Sequence, residues 1–416
     1  MLKETNRKCF EGMATTPQSE KWTQATMRGE SLYSRKTDIR TPFGRDYTRI
    51  LHSMAYRRLK YKTQVFFSPE HDHVSTRIDH VHYVASISRI ITEFLGLNGE
   101  LAEAIAIGHD LGHTPFGHDG ERTIAAIIKE EGIIPQGGEI PFWHGMNGLR
   151  CVDSLELLEG PDACFHNLDL TYAVRDGIIA HSGDIMGRAL VPREDALDLS
   201  AFKVPGQYEP FTWEGCIIKL ADNISYLGRD IDDAVILGRM DADAHAKLTD
   251  IVIRYAKACG EDAAGINNAN IIHLLVTDLC SHSSPEVGIR FSDDGYAVMD
   301  AVLHLNRETI YYNPMLKSYS EYGDTVIRTV YRVLSGWCED YDTNQARYAR
   351  QYPRLTAEFS GWLSKYWDGP RGERYQNKVV YALETDPLAY KRAIVDYLAG
   401  MTDRFLEGLY RSFITF

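Results

Sequence analysis

The chain has 416 residues, of which 44% are hydrophobic and 25% charged, with 45 basic against 58 acidic side chains and a net charge of −13. This is the composition of a globular protein large enough to bury a substantial core, and it excludes collagen-like, low-complexity and wholly disordered chains. The acidic balance argues against nucleic acid as the main partner, because phosphate neutralisation needs a basic footprint.

Residues 1–40 are polar and read as a loosely attached arm. Their first stretch, MLKETNRKCFEGM, lacks the apolar core of a signal peptide. No window approaches 18 consecutive apolar residues, so no membrane span is expected. The cysteines at 9, 151, 164, 216, 259, 280 and 338 contain no CxxC pair, which fits a reducing compartment and a cytoplasmic location.

Along the chain, Lys60–Phe67 reads as extended. Tyr83–Leu97 has apolar residues three and four apart, the mark of an amphipathic helix, and Leu101–Leu111 is apolar enough to be buried on most sides. Helical patterning continues through Asp119–Glu131, Cys216–Leu237, Asp243–Cys259, Ala269–Ser281, Val326–Leu334, Leu355–Tyr366 and Pro387–Leu409. Gly132–Pro141 and Asp184–Gly206 read as long loops, Gly260–Gly265 as a seam, and Asp293–Gly295 as the turn of one short hairpin. The expected class is all-α.

Chemistry-bearing residues concentrate between His80 and Asp230. His109-Asp110 ends the most apolar helix, where an ionised carboxylate needs a partner. Imidazole plus carboxylate suits Mn, Fe, Co, Ni or Mg, although a plain His–Asp hydrogen bond at a helix end is the competing reading. The continuation LGHTPFGHDGE tilts the balance. Its His113 is expected on the same helical face as His109, Pro115 and Gly117 break the helix, and His118 opens the next one with Glu121 at i+3 to orient it. A histidine held by a carboxylate beside a metal is suited to proton handling in hydrolysis.

Further on, Asp222, Tyr226 and Asp230 fall at i, i+4 and i+8, one stripe of a helix whose other face is apolar. A solvated face shared with Asp232 and Asp233 is the alternative for Asp230. Arg77 and His80 stand one turn apart at the head of the helix that contains Tyr83, with a guanidinium fork suited to phosphate oxygens. These residues alone describe a mononuclear metal hydrolase with an anionic substrate, without saying which one.

The spacing His80, His109-Asp110, Asp222 resembles the HD-domain superfamily of metal-dependent phosphohydrolases. Within it, residues 45–66 (RDYTRILHSMAYRRLKYKTQVF), 109–121 (HDLGHTPFGHDGE) and 221–234 (ADNISYLGRDIDDA) resemble blocks of the deoxyguanosinetriphosphate triphosphohydrolases. Phe142–Arg150 is similar to that family's F-x-H-N-x-x-S-L-R stretch, Arg175–His181 to another block, and Ile310–Pro314 more weakly to a third. Gly145 and Gly148 stand where the family has Asn and Ser, Asp79-His80-Val81 where it often has Thr-His-Ser, and Asn223 where it has a second Asp.

The resemblance implies an HD-domain helical bundle at 41–240 and additional C-terminal helices at 241–416 that complete the substrate pocket and oligomer contacts. It implies one divalent metal ion per active site, of unresolved identity, held by His80, His109, Asp110 and Asp222. His118 and Glu121 would be the catalytic pair acting on water at the α-phosphate. His113, His144 and Arg77 would lie along the phosphates, Tyr226 against the deoxyribose, Asp230 at the 3′-OH and Gln64 at the sugar or base. Lys219 and the Arg57–Arg58 pair are further candidates for local positive charge, with at least one of those arginines structural. The implied reaction converts a deoxynucleoside triphosphate, dGTP foremost, to deoxynucleoside and triphosphate in a homo-oligomer, with a second nucleotide as a candidate activator. The alternatives are an HD-type nucleotidase or phosphodiesterase and a non-catalytic protein that binds nucleotide or single-stranded DNA.

Overall fold

Helix-start chemistry recurs down the chain. Thr41, Asn98, Thr212, Asp241, Asn267, Ser292 and Thr402 each accept the backbone N–H three residues on. Each such cap is worth about 1 kcal/mol. In the computed structural model, residues 6–29, 37–66, 73–133, 142–183, 189–261 and 267–413 are described. Most of the Gly132–Pro141 loop, the start of the Asp184–Gly206 loop, all of the Gly260–Gly265 seam beyond Glu261, and Phe67 lie outside them.

The helices of the first half are α1 (Trp22–Ala25), α2 (Pro42–His52), α3 (Met54–Arg58), α4 (Arg77–Leu95), α5 (Gly99–Gly108), α6 (Gly117–Glu130), α7 (His144–Arg150), α8 (Tyr172–Ala180) and α9 (Trp213–Ile236). Then come α10 (Ala242–Ala258), α11 (Asn268–His282), α12 (Asp293–Asn306), α13 (Pro314–Ser335) and α14 (Tyr341–Gln351). The last three are α15 (Pro353–Leu363), α16 (Ala389–Ala399) and α17 (Asp403–Arg411). One small antiparallel pair, Leu157–Glu159 with Phe165–Asn167, is the sheet among the described residues. The fold is all-α, and no described helix is long and apolar enough to cross a membrane.

Several expectations are corrected. Asp293–Gly295 closes no hairpin: Ser292 caps Gly295 N–H, and the two aspartates sit in the first turn of α12, where the helix dipole favours them. Pro387–Leu409 is two helices, because the chain turns after Gly400 and Thr402 caps a new start. Lys60–Phe67 begins as a tight 3₁₀ turn over Leu59–Tyr61 and is extended only around Thr63, which bridges Thr76.

The loosely attached arm is also overturned for residues 6–29. Phe10 and Ala25 are fully buried. The Thr15 N–H and hydroxyl donate to the buried Glu214 carboxylate at 2.9 and 2.8 Å. A few apolar anchors outweigh the polar average of the segment.

Two hydrophobic clusters form. The first runs from Phe10 to Ile310 around α4, α5, α8, α9, α11 and α12. The second joins Phe116 and α6 to α13–α17. Leu111 belongs to the first and Phe116 to the second, so the histidine-rich turn between them spans the seam.

Candidate active site

Helices α4 and α9 and the turn after α5 bring the first cluster together. Thr76 precedes α4, and Asp79 Oδ2 accepts its N–H and hydroxyl at 2.9 and 2.8 Å, which accounts for an aspartate before His80. Arg77 and His80 follow on the buried face, and Arg77 Nη1 donates to Asp110 Oδ2 at 2.7 Å. His80 Nε2 lies 2.9 Å from Asp222 Oδ1 and 3.8 Å from Asp110 Oδ2. His109 Nε2 lies 3.4 Å from Asp110 Oδ1 and 3.8 Å from Asp222 Oδ1.

The donor set fits a metal ion. His109 Nδ1 must carry the proton, since it sits 2.6 Å from the Ala106 carbonyl oxygen, and this presents Nε2 as a lone pair. That Nε2 is buried with no hydrogen-bond partner. Burial opposes ionisation of Asp110, but His113, His109 and Arg77 outweigh it and hold the carboxyl well below the usual range. Burial likewise opposes ionisation of Asp222, and the His80 hydrogen bond and charge overcome it. Two carboxylates and two imidazoles therefore converge, with the carboxylates ionised.

The second cluster gathers His113 from the turn between α5 and α6, His118 and Glu121 from the start of α6, and His144 from the head of α7. Because α5 ends at Gly108, His113 does not share a helical face with His109 as the spacing suggested. The turn itself carries it inward, to 3.0 Å from Asp110 Oδ1. A Cβ on Gly112 would fall 2.0 Å from the His144 carbonyl oxygen, so only glycine lets the turn pass α7. Phe116 has φ +64, a left-handed conformation that costs a bulky residue roughly 1–2 kcal/mol. Its ring is held against Tyr319 and Tyr322 of α13.

Glu121 is the hub of this cluster. His113 Nδ1 approaches its Oε1 at 2.5 Å, off the line of a good hydrogen bond, and His144 Nδ1 meets Oε2 at 3.2 Å. His118, the expected partner, is farther, at 3.4 Å, with its side chain 65% exposed at the cavity. The His113 and His144 rings stack at 4.1 Å with opposite tendencies. Burial, with Arg77 and His144, pushes His113 down to about 4. For His144, burial is outweighed by Glu121, and the ring is shifted upward.

A cavity of about 840 Å³ unites both clusters with a third wall. Gln64, Arg77, His80, Asp110, His113, His118, Glu121, His144, Asp222, Tyr226 and Asp230 all line it, and His109 is fully buried. On α9, Tyr226 donates its hydroxyl to Asn223 Oδ1 at 3.0 Å, and Asp230 is 2% exposed rather than on a solvated face. Gln64 Oε1 is buried without a hydrogen-bond partner. Lys219 is corrected: it does not line the cavity and is fully buried 3.8 Å from Glu209. Arg58 pairs with Glu156 away from the cavity, in keeping with a structural role for at least one arginine of its pair.

Other site residues were not singled out from the sequence. His181 packs its ring 4.9 Å from His109, donates Nδ1–H to the Ile178 carbonyl at 2.7 Å, and is held well below the usual range by burial. Ser182 Oγ bridges His144 Nε2 at 3.0 Å and His181 Nε2 at 3.3 Å. A Cβ on Gly145 would fall 2.7 Å from that oxygen, so the departure from Asn at 145 makes room for it. Tyr311, on a π-turn after α12, faces Asp230. His181 and Tyr311 each end or sit inside a short block with a family resemblance, which was the available signal.

Comparison with known proteins agrees with this geometry. An HD domain model matches residues 77–227, and a phosphohydrolase-associated domain model matches 371–412. Proteins named deoxyguanosinetriphosphate triphosphohydrolase-like align over nearly the whole chain. The one from Desulfatibacillum aliphaticivorans is 36% identical, covering 93% of this chain and 91% of its own. That from Caldanaerobacter subterraneus subsp. tengcongensis is 32% identical, covering 91% and 86%. A Caulobacter relative is 31% identical, covering 92% of each chain. With this likeness along its length and the His–Asp cluster in place, the chain belongs to the HD-domain family of deoxyguanosinetriphosphate triphosphohydrolase-like proteins.

Proposed function

We propose that the protein hydrolyses a deoxynucleoside triphosphate, dGTP foremost, to deoxynucleoside and inorganic triphosphate. The observation that carries this reading is one cavity lined by the His–Asp cluster, the Glu121–histidine cluster and a wall of Tyr226, Asp230 and Tyr311. His80, His109, Asp110 and Asp222 would hold one divalent ion. Such an ion supplies Lewis acidity toward a phosphoryl oxygen and lowers the pKa of water.

The chain's own residues do the rest. Arg77, His113 and His144 lie along the phosphates, where His144 is the imidazole biased toward its charged form. Glu121 is kept ionised: burial opposes this, but His144, His113 and His118 more than offset it. It thereby orients His118, whose exposed ring can exchange a proton with attacking water or departing 5′-oxygen; such contacts tighten when substrate is bound. Tyr226 packs where a 2′-OH would stand, Asp230 accepts from the 3′-OH, and Gln64 contacts sugar or base. The cavity wall contributed by Leu303, Arg307, Tyr311 and Tyr319 supports a role for residues 241–416 in completing the pocket.

Assembly as a homo-oligomer, activation by a second nucleotide and a cytoplasmic location accompany this reading. The test is incubation with each of the four dNTPs and with GTP, plus Mn²⁺ or Mg²⁺, singly and as dNTP mixtures. Triphosphate from dNTPs with GTP untouched supports it. Release of single phosphates points to a nucleotidase, and binding without product points to a sensor.

A further inference from the structure

Asp403 opens α17, far from the histidines in sequence, and is only 4% exposed. Its Oδ1 accepts the Phe116 N–H at 3.0 Å. Its Oδ2 accepts the Thr63 N–H at 2.9 Å and the Thr63 hydroxyl at 2.5 Å. These partners stand at the heads of the two segments that carry the chemistry. Phe116 separates His113 from His118, on a turn where Phe116 and Gly117 are both left-handed, at φ +64 and +57. Thr63 bridges Thr76, and the Arg77 N–H donates to the Lys62 carbonyl at 3.2 Å, just ahead of His80.

Lys62 completes the knot. Its buried amine nitrogen donates to the His113 carbonyl and lies 3.5 Å from the carbonyl of Ala399, the last residue of α16. The Phe116 ring is fixed from the same side: a Cβ on Gly323 of α13 would fall 3.0 Å from it. A left-handed phenylalanine persists only where its surroundings over-determine it. Here the backbone is held by Asp403 and the side chain by α13.

We propose that Asp403 is a positioning residue that holds the Phe116–Gly117 turn, and with it His113 and His118, in register with Arg77 and His80. It lies within the phosphohydrolase-associated stretch, to which this assigns a part in catalysis: the clamp on the histidine turn. The role in turnover rests on the function proposed above, so one readout must need no substrate.

The test compares Asp403→Asn, which presents an amide N–H₂ to one of its donors, with Tyr381→Phe. The latter loses a buried hydrogen bond to Asp396 in the same C-terminal cluster without touching the turn. Amide exchange in the peptide spanning residues 111–119 should quicken by about tenfold or more in Asp403→Asn and stay unchanged in Tyr381→Phe. With dGTP, kcat should fall about 10²-fold, the size expected for misplaced catalytic groups, while KM stays within about threefold. Tyr381→Phe should keep its kcat.

Thr63→Val keeps the Thr63 N–H bond to Asp403, removes the hydroxyl bond together with the Tyr319 contact to that hydroxyl, and should show the same contrast in exchange at smaller size, should the asparagine variant be unstable. Unchanged exchange in both variants overturns the clamp. Faster exchange with unchanged kcat makes Asp403 merely structural and overturns its positioning role. Faster exchange in a protein whose wild type releases no triphosphate upholds the clamp and removes the proposed reaction instead.

Discussion

Tyr311 donates its hydroxyl hydrogen to Asp230 Oδ2 at 2.5 Å, while Asp230 Oδ1 is buried without a hydrogen-bond partner in the cavity wall. The protein thus satisfies only one of the two carboxyl oxygens. Burial pushes it up to about 7, against the opposing Tyr311 bond. A 3′-OH is best accepted by the anion, so binding should strengthen as pH rises through 7. We expect KM for the deoxynucleotide to fall several-fold between pH 6 and pH 8, and Asp230→Asn to flatten that dependence. Tyr311→Phe removes the bond that favours ionisation and should move the midpoint upward. Steady-state kinetics across this range check all three.

The same shift has a stability sign. The folded-state pKa of Asp230 lies above the ordinary carboxyl value of 3.8. The folded protein therefore binds the proton more tightly than the unfolded chain, and this carboxyl destabilises progressively as pH rises from about 4 to about 7. Asp230→Asn should raise the Tm more at pH 8 than at pH 5, as scanning calorimetry can show.

His118 and Asp110 separate chemistry from metal retention. His118→Ala should keep metal and nucleotide affinity while kcat drops about 10²–10⁴-fold, the range for losing a general acid–base group. Asp110→Ala should lose the metal itself, read by elemental analysis. It also leaves Arg77, 3% exposed, without its carboxylate, at a cost of about 3–5 kcal/mol. A His118→Ala variant with full turnover would remove the proposed catalytic pair.

The packed N-terminal segment makes a prediction that involves no substrate. Phe10 is fully buried, with its ring 4.9 Å from that of Trp213 at the head of α9. Phe10→Ala should destabilise by about 3–5 kcal/mol, measured by denaturant unfolding. A loosely attached arm would show almost no change.

What was legible in the sequence follows local periodicity. The 109–121 stretch carries its chemistry in consecutive residues, and the α9 stripe is set by helical geometry, so both could be read without contacts. The end of α5 at Gly108 was hidden, because the apolar run continues to Leu111 and hydrophobicity does not mark where hydrogen bonding stops. His181, Tyr311, Lys62 and Asp403 reach the site or its supporting turn from separate segments, through contacts that leave no spacing signal. The packing of the arm is not legible because polarity averaged over a segment conceals single anchors such as Phe10 and Thr15.

The central claim is that water attacks the α-phosphorus and the three phosphates leave together. Incubation with dGTP and Mn²⁺ in ¹⁸O-enriched water, followed by ³¹P NMR and mass spectrometry of the products, tests it most directly. The account predicts deoxyguanosine without label and intact triphosphate carrying one ¹⁸O. Pyrophosphate with dGMP, or stepwise orthophosphate, would contradict it.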